Sequence, residues 1–300
     1  MKNREQTIES KRGFLKGDFE LFHIKDRKDM QFDFHYHDFN KIIIFISGKV
    51  TYLIEGKAYK LKPWDILLVS SNEIHKPIID QGVPYERIVL WLNQSFMDKH
   101  SSKECDLSTC FELAAARKYN LLRPEPELLR NLRPILTQLE AAGKNSDFGY
   151  RILRNALFMQ FIVSINRMFL GIGKEPGDAD VEYDKAIEGI IEYINGHLGE
   201  ELTIDSLAAS FFLSKYYLMH RFKKQTGYSI HNYIQQKRLI KAHLMIKEGM
   251  ASAQVCGECG FGDYSSFVRA FKKMFGLSPR NYYKGYASLQ KSGSVQGHFY

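Results

Sequence analysis

The sequence is poor in cysteine and in long apolar runs, and each shortage excludes a class of protein. Four cysteines in 300 residues are too few for a disulfide scaffold. No apolar run approaches the roughly 20 residues that a transmembrane helix needs, and the polar start of the chain predicts no signal peptide. Hydrophobic residues at 44% and charged residues at 25% are typical of a folded globular protein. We therefore expect a cytoplasmic protein with no membrane partner.

The net charge of +8 is distributed unevenly along the chain. Residues 184–300 hold 15 basic and 9 acidic side chains, whereas the residues before them are nearly balanced. A basic block of this kind indicates a polyanionic partner, most often a nucleic acid. A solvated basic surface would give the same count, so charge alone leaves both interpretations open.

The first part of the chain has the pattern of a small β-barrel or sandwich. Short apolar runs recur every 8–12 residues between residues 31 and 92, separated by Gly and Pro. They predict strands at 42–46, 50–54, 58–61, 66–69, 77–79 and 85–92. Helical periodicity follows at 127–142 and 150–170, and a Gly-containing stretch at 171–180 predicts a linker.

The last third of the chain is predicted to be helical and contains an internal repeat. Phe222-Lys-Lys-Gln-Thr-Gly227 returns 49 residues later as Phe271-Lys-Lys-Met-Phe-Gly276. Each copy ends a helix that follows a short helix and a polar capping residue, which is the order of a helix-turn-helix unit. The second helix of such a unit can lie in a major groove of DNA. A long predicted helix at 230–247 joins the two units.

This region resembles the DNA-binding domain of the AraC/XylS family of transcription activators. The resemblance covers residues 184–283, and its motif reads Gly260-Phe261, Asp263, Ser266-Phe267, Arg269, Phe271-Lys272-Lys273, Gly276, Ser278-Pro279 and Tyr282. It implies two recognition helices that enter successive major grooves on one face of double-stranded DNA. It also makes RNA polymerase a possible protein partner. The chain departs from the family pattern at His220, Arg221, Cys256 and Tyr283.

The recognition helices carry the side chains that we expect to contact DNA. In the first unit the base-facing positions are Tyr216, Met219 and His220, and the phosphate-facing positions are Lys223 and Lys224. In the second unit they are Tyr264, Ser265, Val268 and Arg269, followed by Lys272 and Lys273. Arg269 is the strongest candidate, because arginine pairs bidentately with guanine. For each position the alternative is an ordinary surface residue.

Histidines in the first part of the chain indicate a binding site. His35-Tyr-His37 places two imidazoles on one face of a strand, and His75 would complete a metal site. The pattern resembles the cupin superfamily, but Lys41 occupies the position of its acidic residue. A lysine beside three histidines would repel a divalent cation. We therefore expect no metal, no cofactor and no catalytic residue here.

The barrel resembles the sensor domains that precede AraC-type DNA-binding domains and bind a small effector, often a sugar. The candidate effector contacts are His35, His37, Lys41, His75 and Trp91. Structural hydrogen bonding is the alternative role for the two histidines of the H-x-H motif. The Cys256-Gly-Glu-Cys259 motif lacks a redox or zinc context, so it predicts buried apolar packing.

These features predict a two-domain α+β protein with a cupin-like β-barrel followed by helices, and then an all-α domain with two helix-turn-helix units. The expected boundaries are a sensor at 1–172, a linker at 173–183, a DNA-binding domain at 184–285 and a tail at 286–300. The barrel would span about 20–95. The helices at about 126–170 resemble the family's dimerisation element, with an intramolecular cap as the alternative.

The predicted function is sequence-specific transcription regulation in response to a small-molecule effector, carried out by a homodimer that is not an enzyme. One alternative is a constitutive DNA-binding regulator whose barrel serves only as a dimerisation scaffold. A second is a metal-dependent cupin enzyme with an accessory DNA-binding module.

Overall fold

A computed structural model describes residues 15, 17–26, 37, 39–71, 73–80, 82–143, 147–171 and 180–284. These residues fall into two compact units, the first ending at Glu182 and the second beginning at Tyr183. His35, most of the predicted linker and the predicted tail at 286–300 lie outside the described residues. No helix in the described ranges is long and apolar enough to cross a membrane.

The first unit is built on two antiparallel sheets. The strands are β1 Phe19–Asp26, β2 Asn40–Ser47, β3 Val50–Ile54, β4 Lys57–Lys60, β5 Ile66–Val69, β6 His75–Ile79, β7 Tyr85–Leu92, β8 Leu121–Leu122 and β9 Val181–Glu182. One sheet has the order β1-β7-β2-β5-β8, and the other has the order β6-β3-β4-β9. The six strands predicted between residues 42 and 92 are confirmed, and the two sheets have the arrangement expected of a cupin-like fold.

The five-stranded sheet is buried on both faces. Ile42 and Ile44 on β2 pack into the same core as Leu90 on β7 and the helices that follow. Lys41 and Ile43 alternate with them and point to the opposite face, because successive side chains of a strand alternate. Both sets are buried, which explains why β2 has a continuous apolar run rather than an alternating one.

Four helices cover one face of that sheet: α1 Gln94–His100, α2 Thr109–Arg117, α3 Pro126–Ala142 and α4 Tyr150–Gly171. The helical periodicity at 127–142 and 150–170 is confirmed by α3 and α4, whereas α1 lies outside those predicted ranges. Buried Asn166 joins α4 to the start of α2, where its amide oxygen accepts from the backbone N–H of Cys110 at 2.8 Å. The apolar stripe predicted for α4 is only partly covered, since Ile152 and Leu153 are exposed.

The second unit consists of short helices around one long helix. Its helices are α5 Lys185–Gly196, α6 Ile204–Ser210, α7 Lys215–Thr226, α8 Ile230–Lys247, α9 Ser252–Glu258 and α10 Tyr264–Phe275, and residues 279–284 are helical. Side chains cap five of these helices: Asp184 for α5, Thr203 for α6, Ser214 for α7, Ser229 for α8 and Asp263 for α10. The predicted pair of helix-turn-helix units is thus formed by α6–α7 and α9–α10.

The end of the predicted linker differs from the expectation of a free connection. Val181 and Glu182 form β9, which pairs with Tyr59 and Ala58 of β4 at the edge of the smaller sheet. The Val181 side chain is buried, and the burial of this apolar group stabilises the pairing of the two-residue strand with β4. A two-residue strand has no periodicity, so the sequence offered no signal for it.

Candidate nucleic-acid interface and effector site

The first recognition helix, α7, separates buried from exposed residues as the sequence predicts. Leu218 and Phe222 are fully buried, and the Phe222 ring packs edge-on against Tyr233 of α8, 5.4 Å between centroids. The predicted base-facing side chains lie on the outside, and all three are exposed: Tyr216, Met219 and His220. The Tyr216 and His220 rings stack on each other, one helical turn apart, with centroids separated by 6.1 Å.

The lysine pairs occupy the last turns of both recognition helices. Lys223 and Lys224 are exposed at the end of α7, and Lys272 and Lys273 are exposed at the end of α10. Both helices end at a glycine in the left-handed region, Gly227 with φ 76° and Gly276 with φ 80°. The repeat in the sequence is therefore a repeat in the structure, with two lysines held at the same place on each helix.

The second recognition helix, α10, has the same division of faces. Phe267 and Phe271 are fully buried, whereas Tyr264, Ser265 and Arg269 are exposed. Arg269 donates to the hydroxyl of Ser266 at 3.0 Å, a bond that leaves most of its guanidinium donors directed to solvent. The predicted base-facing Val268 differs from its neighbours because it is partly buried and packs against the core of this unit.

Asp263 fixes the start of α10. Its carboxylate accepts from the backbone N–H of Ser266 at 2.7 Å and of Ser265 at 3.3 Å. Hydrogen bonds from Ser266 and Ser265 hold the pKa of the Asp263 carboxyl below its usual value. The negative charge at this helix start is also favoured by the helix dipole.

An ion pair that sequence reasoning missed holds the first recognition helix. The Arg221 guanidinium donates to one carboxylate oxygen of Asp184 through two nitrogens, at 3.1 and 2.8 Å. Burial raises the pKa of Asp184, but the Arg221 hydrogen bond and two backbone amides outweigh it and leave that pKa lowered. The departure from the family pattern at Arg221 is thus explained, because this arginine joins α7 to the cap of α5. The two residues are far apart in sequence, and no local pattern relates them.

The scaffold of the second helix-turn-helix unit explains Gly260 of the family motif and the two cysteines that precede it. A Cβ on Gly260 would approach the carbonyl oxygen of Leu198 to 2.5 Å, so only glycine fits there. Cys256 and Cys259 are buried free thiols in the core of this unit, as predicted. Burial raises the pKa of the Cys259 thiol to about 11 and also raises the pKa of Cys256. Neither thiol therefore has the thiolate character of a redox site.

The candidate effector site lies between the two sheets of the unit that ends at Glu182. Lys41 and Trp91 are direct partners in the pairing of β2 with β7, so their side chains leave the sheet on the same face. The His37 ring lies 5.4 Å from the His75 ring and 5.8 Å from the Trp91 ring, measured between centroids. Four of the five predicted effector residues therefore meet, and the fifth, His35, lies outside the described ranges.

The side chains at this site are partly or fully buried and mainly aromatic. His75 is 1% exposed and Lys41 is 8% exposed. Three aromatic residues that the sequence analysis did not select complete the group: Phe22 and Phe39 contact Trp91, and Tyr52 stacks on His75. The buried Trp91 Nε1 atom has no hydrogen-bond acceptor among the described residues. Such a group, with few polar atoms in an apolar lining, has the character of a small-molecule site.

Among the described residues, no three His, Cys, Asp or Glu side chains are arranged so that they could hold a metal ion. Lys41, at the position where the cupin pattern has an acidic residue, is buried and lies directly opposite Trp91 in the pairing of β2 with β7.

Two family models match the chain, one in each of its two compact units. The family model described as an AraC-like ligand binding domain matches residues 20–162, and the one described as a helix-turn-helix domain matches residues 207–285. The chain is 26% identical over 275 residues to the HTH-type transcriptional activator RhaS of Enterobacter sp. (strain 638), covering 85% of this chain and 89% of that protein. It is 25% identical over 273 residues to RhaS of Citrobacter koseri, covering 85% and 88%.

Solved structures with similarity to the chain include ToxT from Vibrio cholerae and the DNA-binding domain of AdpA in complex with a target DNA. The ToxT match has 16% identity and a TM-score of 0.34, and it covers 89% of this chain and 98% of that one. The AdpA match has 23% identity and a TM-score of 0.34, and it covers 36% of this chain and 98% of that one.

Proposed function

The chain belongs to the AraC family of DNA-binding transcription regulators, and we propose that a small molecule bound between its two sheets controls how its two helix-turn-helix units engage an operator. The observation that carries the DNA part is the duplicated recognition helix. In both copies a fully buried phenylalanine, Phe222 or Phe271, fixes the helix while polar and basic side chains face solvent. In this proposal Arg269 reads a base and the four lysines contact phosphates.

The effector part rests on the buried group around Trp91. We propose that His37, Lys41, His75 and Trp91 contact the effector, and that a sugar or a related polyol is its chemical class. Aromatic rings offer flat apolar faces to a sugar ring, while Lys41, the indole N–H and the imidazoles offer hydrogen bonds to its hydroxyls. An effector that favours one arrangement of the protein shifts the equilibrium by its difference in affinity for the two arrangements.

A matched pair of tryptophan variants tests the effector site. A ligand that binds only the folded protein raises its melting temperature, so a panel of monosaccharides and sugar alcohols can be screened with the full chain. Trp91→Phe removes the indole N–H at the site and should abolish most of the shift. Trp64→Phe makes the same change on the helix-covered face of the five-stranded sheet, where the Trp64 ring packs against Arg133. This variant should preserve the shift in melting temperature. No shift with any compound would reject the sugar class, and an equal shift in both variants would reject the site.

We further propose that the regulator is a homodimer and an activator that acts in the cytoplasm on RNA polymerase. The proposed dimer contact includes the start of α4, where Ile152 is 78% exposed and Leu153 is 56% exposed. The activator role is supported by the relatives, which are named transcriptional activators.

Light scattering on the full chain tests the dimer. Replacing Ile152 and Leu153 by glutamate should reduce the mass to that of one chain, since charge in an apolar contact is costly. Leu170→Glu, at the exposed far end of the same helix, is the control and should leave the mass unchanged. A wild-type protein with the mass of one chain at micromolar concentration would contradict the proposal.

A further inference from the structure

The last three residues of the first unit are fastened to its smaller sheet. Val181 pairs with Tyr59 and Glu182 pairs with Ala58, and Val181 is 6% exposed. Just before them, the Asp180 carboxylate accepts a hydrogen bond from Lys62 at 2.7 Å and forms an ion pair with Arg123. Glu182 also pairs with Lys60, so three side-chain partners and one strand pairing hold a segment of only three residues.

Arg123 is itself held in place. Its guanidinium donates to both carboxylate oxygens of Asp65, each at 2.8 Å, and Asp65 is fully buried. The backbone N–H of Lys62 also donates to Asp65, at 2.7 Å. Because both partners of Asp180 are organised around Asp65, the segment docks on a preformed surface rather than on free side chains.

On its other side the segment leads to α5, whose capping residue contacts the first recognition helix. Only Tyr183 separates Glu182 from Asp184. Asp184 caps α5 by accepting from the backbone N–H of Ala186 at 3.0 Å, and the same side chain binds Arg221 of α7. Five consecutive residues therefore include both the contacts to the sheet and the contact to a recognition helix.

The sheet partner of this segment is linked to the candidate effector site. Tyr59 pairs with Val181 on one side and with Tyr52 on the other. The Tyr52 ring stacks on His75, with 6.2 Å between centroids. Two strand pairings and one ring contact therefore connect His75 to Val181.

We propose that residues Asp180–Asp184 form a strap that positions the first recognition helix, and that the strap has a docked state and a released state with different operator affinity. The proposal deepens the proposed function and rests on it, because the effector would act by biasing this equilibrium. A two-residue strand and partly exposed ion pairs contribute little each, so release is within reach of a ligand's binding energy. Asp184 and Arg221 are positioning residues in this scheme, since they act on DNA through α7.

The experiment compares a locked strap with a released one in the full chain. The locked variant is Ala58→Cys with Glu182→Cys, two positions that face each other across the strand pair, in a background with Cys105→Ser to remove the exposed native thiol. The released variant is Asp180→Ala with Val181→Asp. It removes the ion pairs of Asp180 with Lys62 and Arg123 and places a charge at the buried position 181. Mass spectrometry verifies the disulfide, and amide hydrogen exchange at residues 181–183 verifies release.

The probe is a duplex selected from random DNA by the wild-type protein, with a scrambled duplex beside it. We expect the oxidised locked variant and the released variant to differ at least fivefold in operator affinity and to bind the scrambled duplex equally, since the lysines are unchanged. Asp80→Asn, which removes an exposed ion pair with Lys49 outside the strap, is the control and should bind as wild type does. Operator affinities within twofold of each other, with both states verified, would overturn the strap. A wild-type protein that selects no duplex would instead overturn the proposed function and the strap with it.

Discussion

The recognition helices α7 and α10 have the same length and the same glycine ending, yet they present different side chains to solvent. Each has twelve residues, a capping side chain before it and a buried phenylalanine two turns along. The exposed face of α7 includes the stacked rings of Tyr216 and His220, whereas that of α10 includes the Tyr264 ring and the guanidinium of Arg269. The buried residues therefore set the shape of both units, and the exposed residues set what each unit can read.

The two helix-turn-helix units also differ in the contacts that fix them to the neighbouring helices. The turn before α10 needs Gly260, because any side chain would clash with the backbone of Leu198. The equivalent turn before α7 has Phe212, with φ 53° and a fully exposed side chain. In place of that close backbone approach, the first unit is tied to α5 by Arg221 and Asp184. Both recognition helices are therefore anchored by buried side chains, and the first has in addition an ion pair next to the connection with the sensor.

The largest expected effect tests whether the scaffolds are equivalent. Phe222→Ala and Phe271→Ala each empty a fully buried site and should each lower the free energy of unfolding by about 3–5 kcal/mol. Chemical denaturation of the full chain measures both losses, when it is followed at the transition of the helical unit that begins at Tyr183. The exposed Phe212→Ala is the control and should cost far less. A small loss for one phenylalanine and a large loss for the other would show that the scaffolds are not equivalent.

A smaller effect separates the reading faces. Arg269→Ala should weaken operator binding by about 1–3 kcal/mol and relax the preference at one base pair, because alanine cannot make the bidentate hydrogen bonds of arginine. His220→Ala should cost less, since an imidazole makes fewer hydrogen bonds than a guanidinium. Binding of sequence-randomised operators at a stated salt concentration measures both changes. An unchanged base preference after Arg269→Ala would remove this residue from the reading face.

The smallest expected effect concerns the lysine pairs, which should act alike in both units. Replacing Lys223 and Lys224 by alanine, or Lys272 and Lys273, should weaken binding evenly across sequences. Each double substitution should also reduce the slope of log affinity against log salt by about 0.9 for every phosphate that a lysine no longer neutralises. Titrations of one operator at several salt concentrations give the slopes. A slope that stays at the wild-type value would show that the pair does not bind phosphates.

The sequence predicted the elements much better than the contacts between distant residues. Helices α7, α8 and α10 begin and end where the caps and glycines predict, because capping and helical periodicity are local. The Arg221–Asp184 pair and the docking of β9 on β4 were not predicted, since both join residues far apart in the chain. The effector site lies between these cases. His37, His75 and Trp91 were predicted from their chemistry, while Tyr52 and Phe39 carried no such signal and are brought beside them by the fold.

The central claim is that both helix-turn-helix units bind DNA in a sequence-specific manner. Selection of bound duplexes from random DNA by the full chain, at a stated salt concentration, tests it most directly. We predict an enriched site with two short elements about one helical turn apart, and Arg269→Ala should relax only one of the two elements. Salt-dependent binding without any enriched sequence, or enrichment of a single element that Arg269→Ala leaves unchanged, would contradict it.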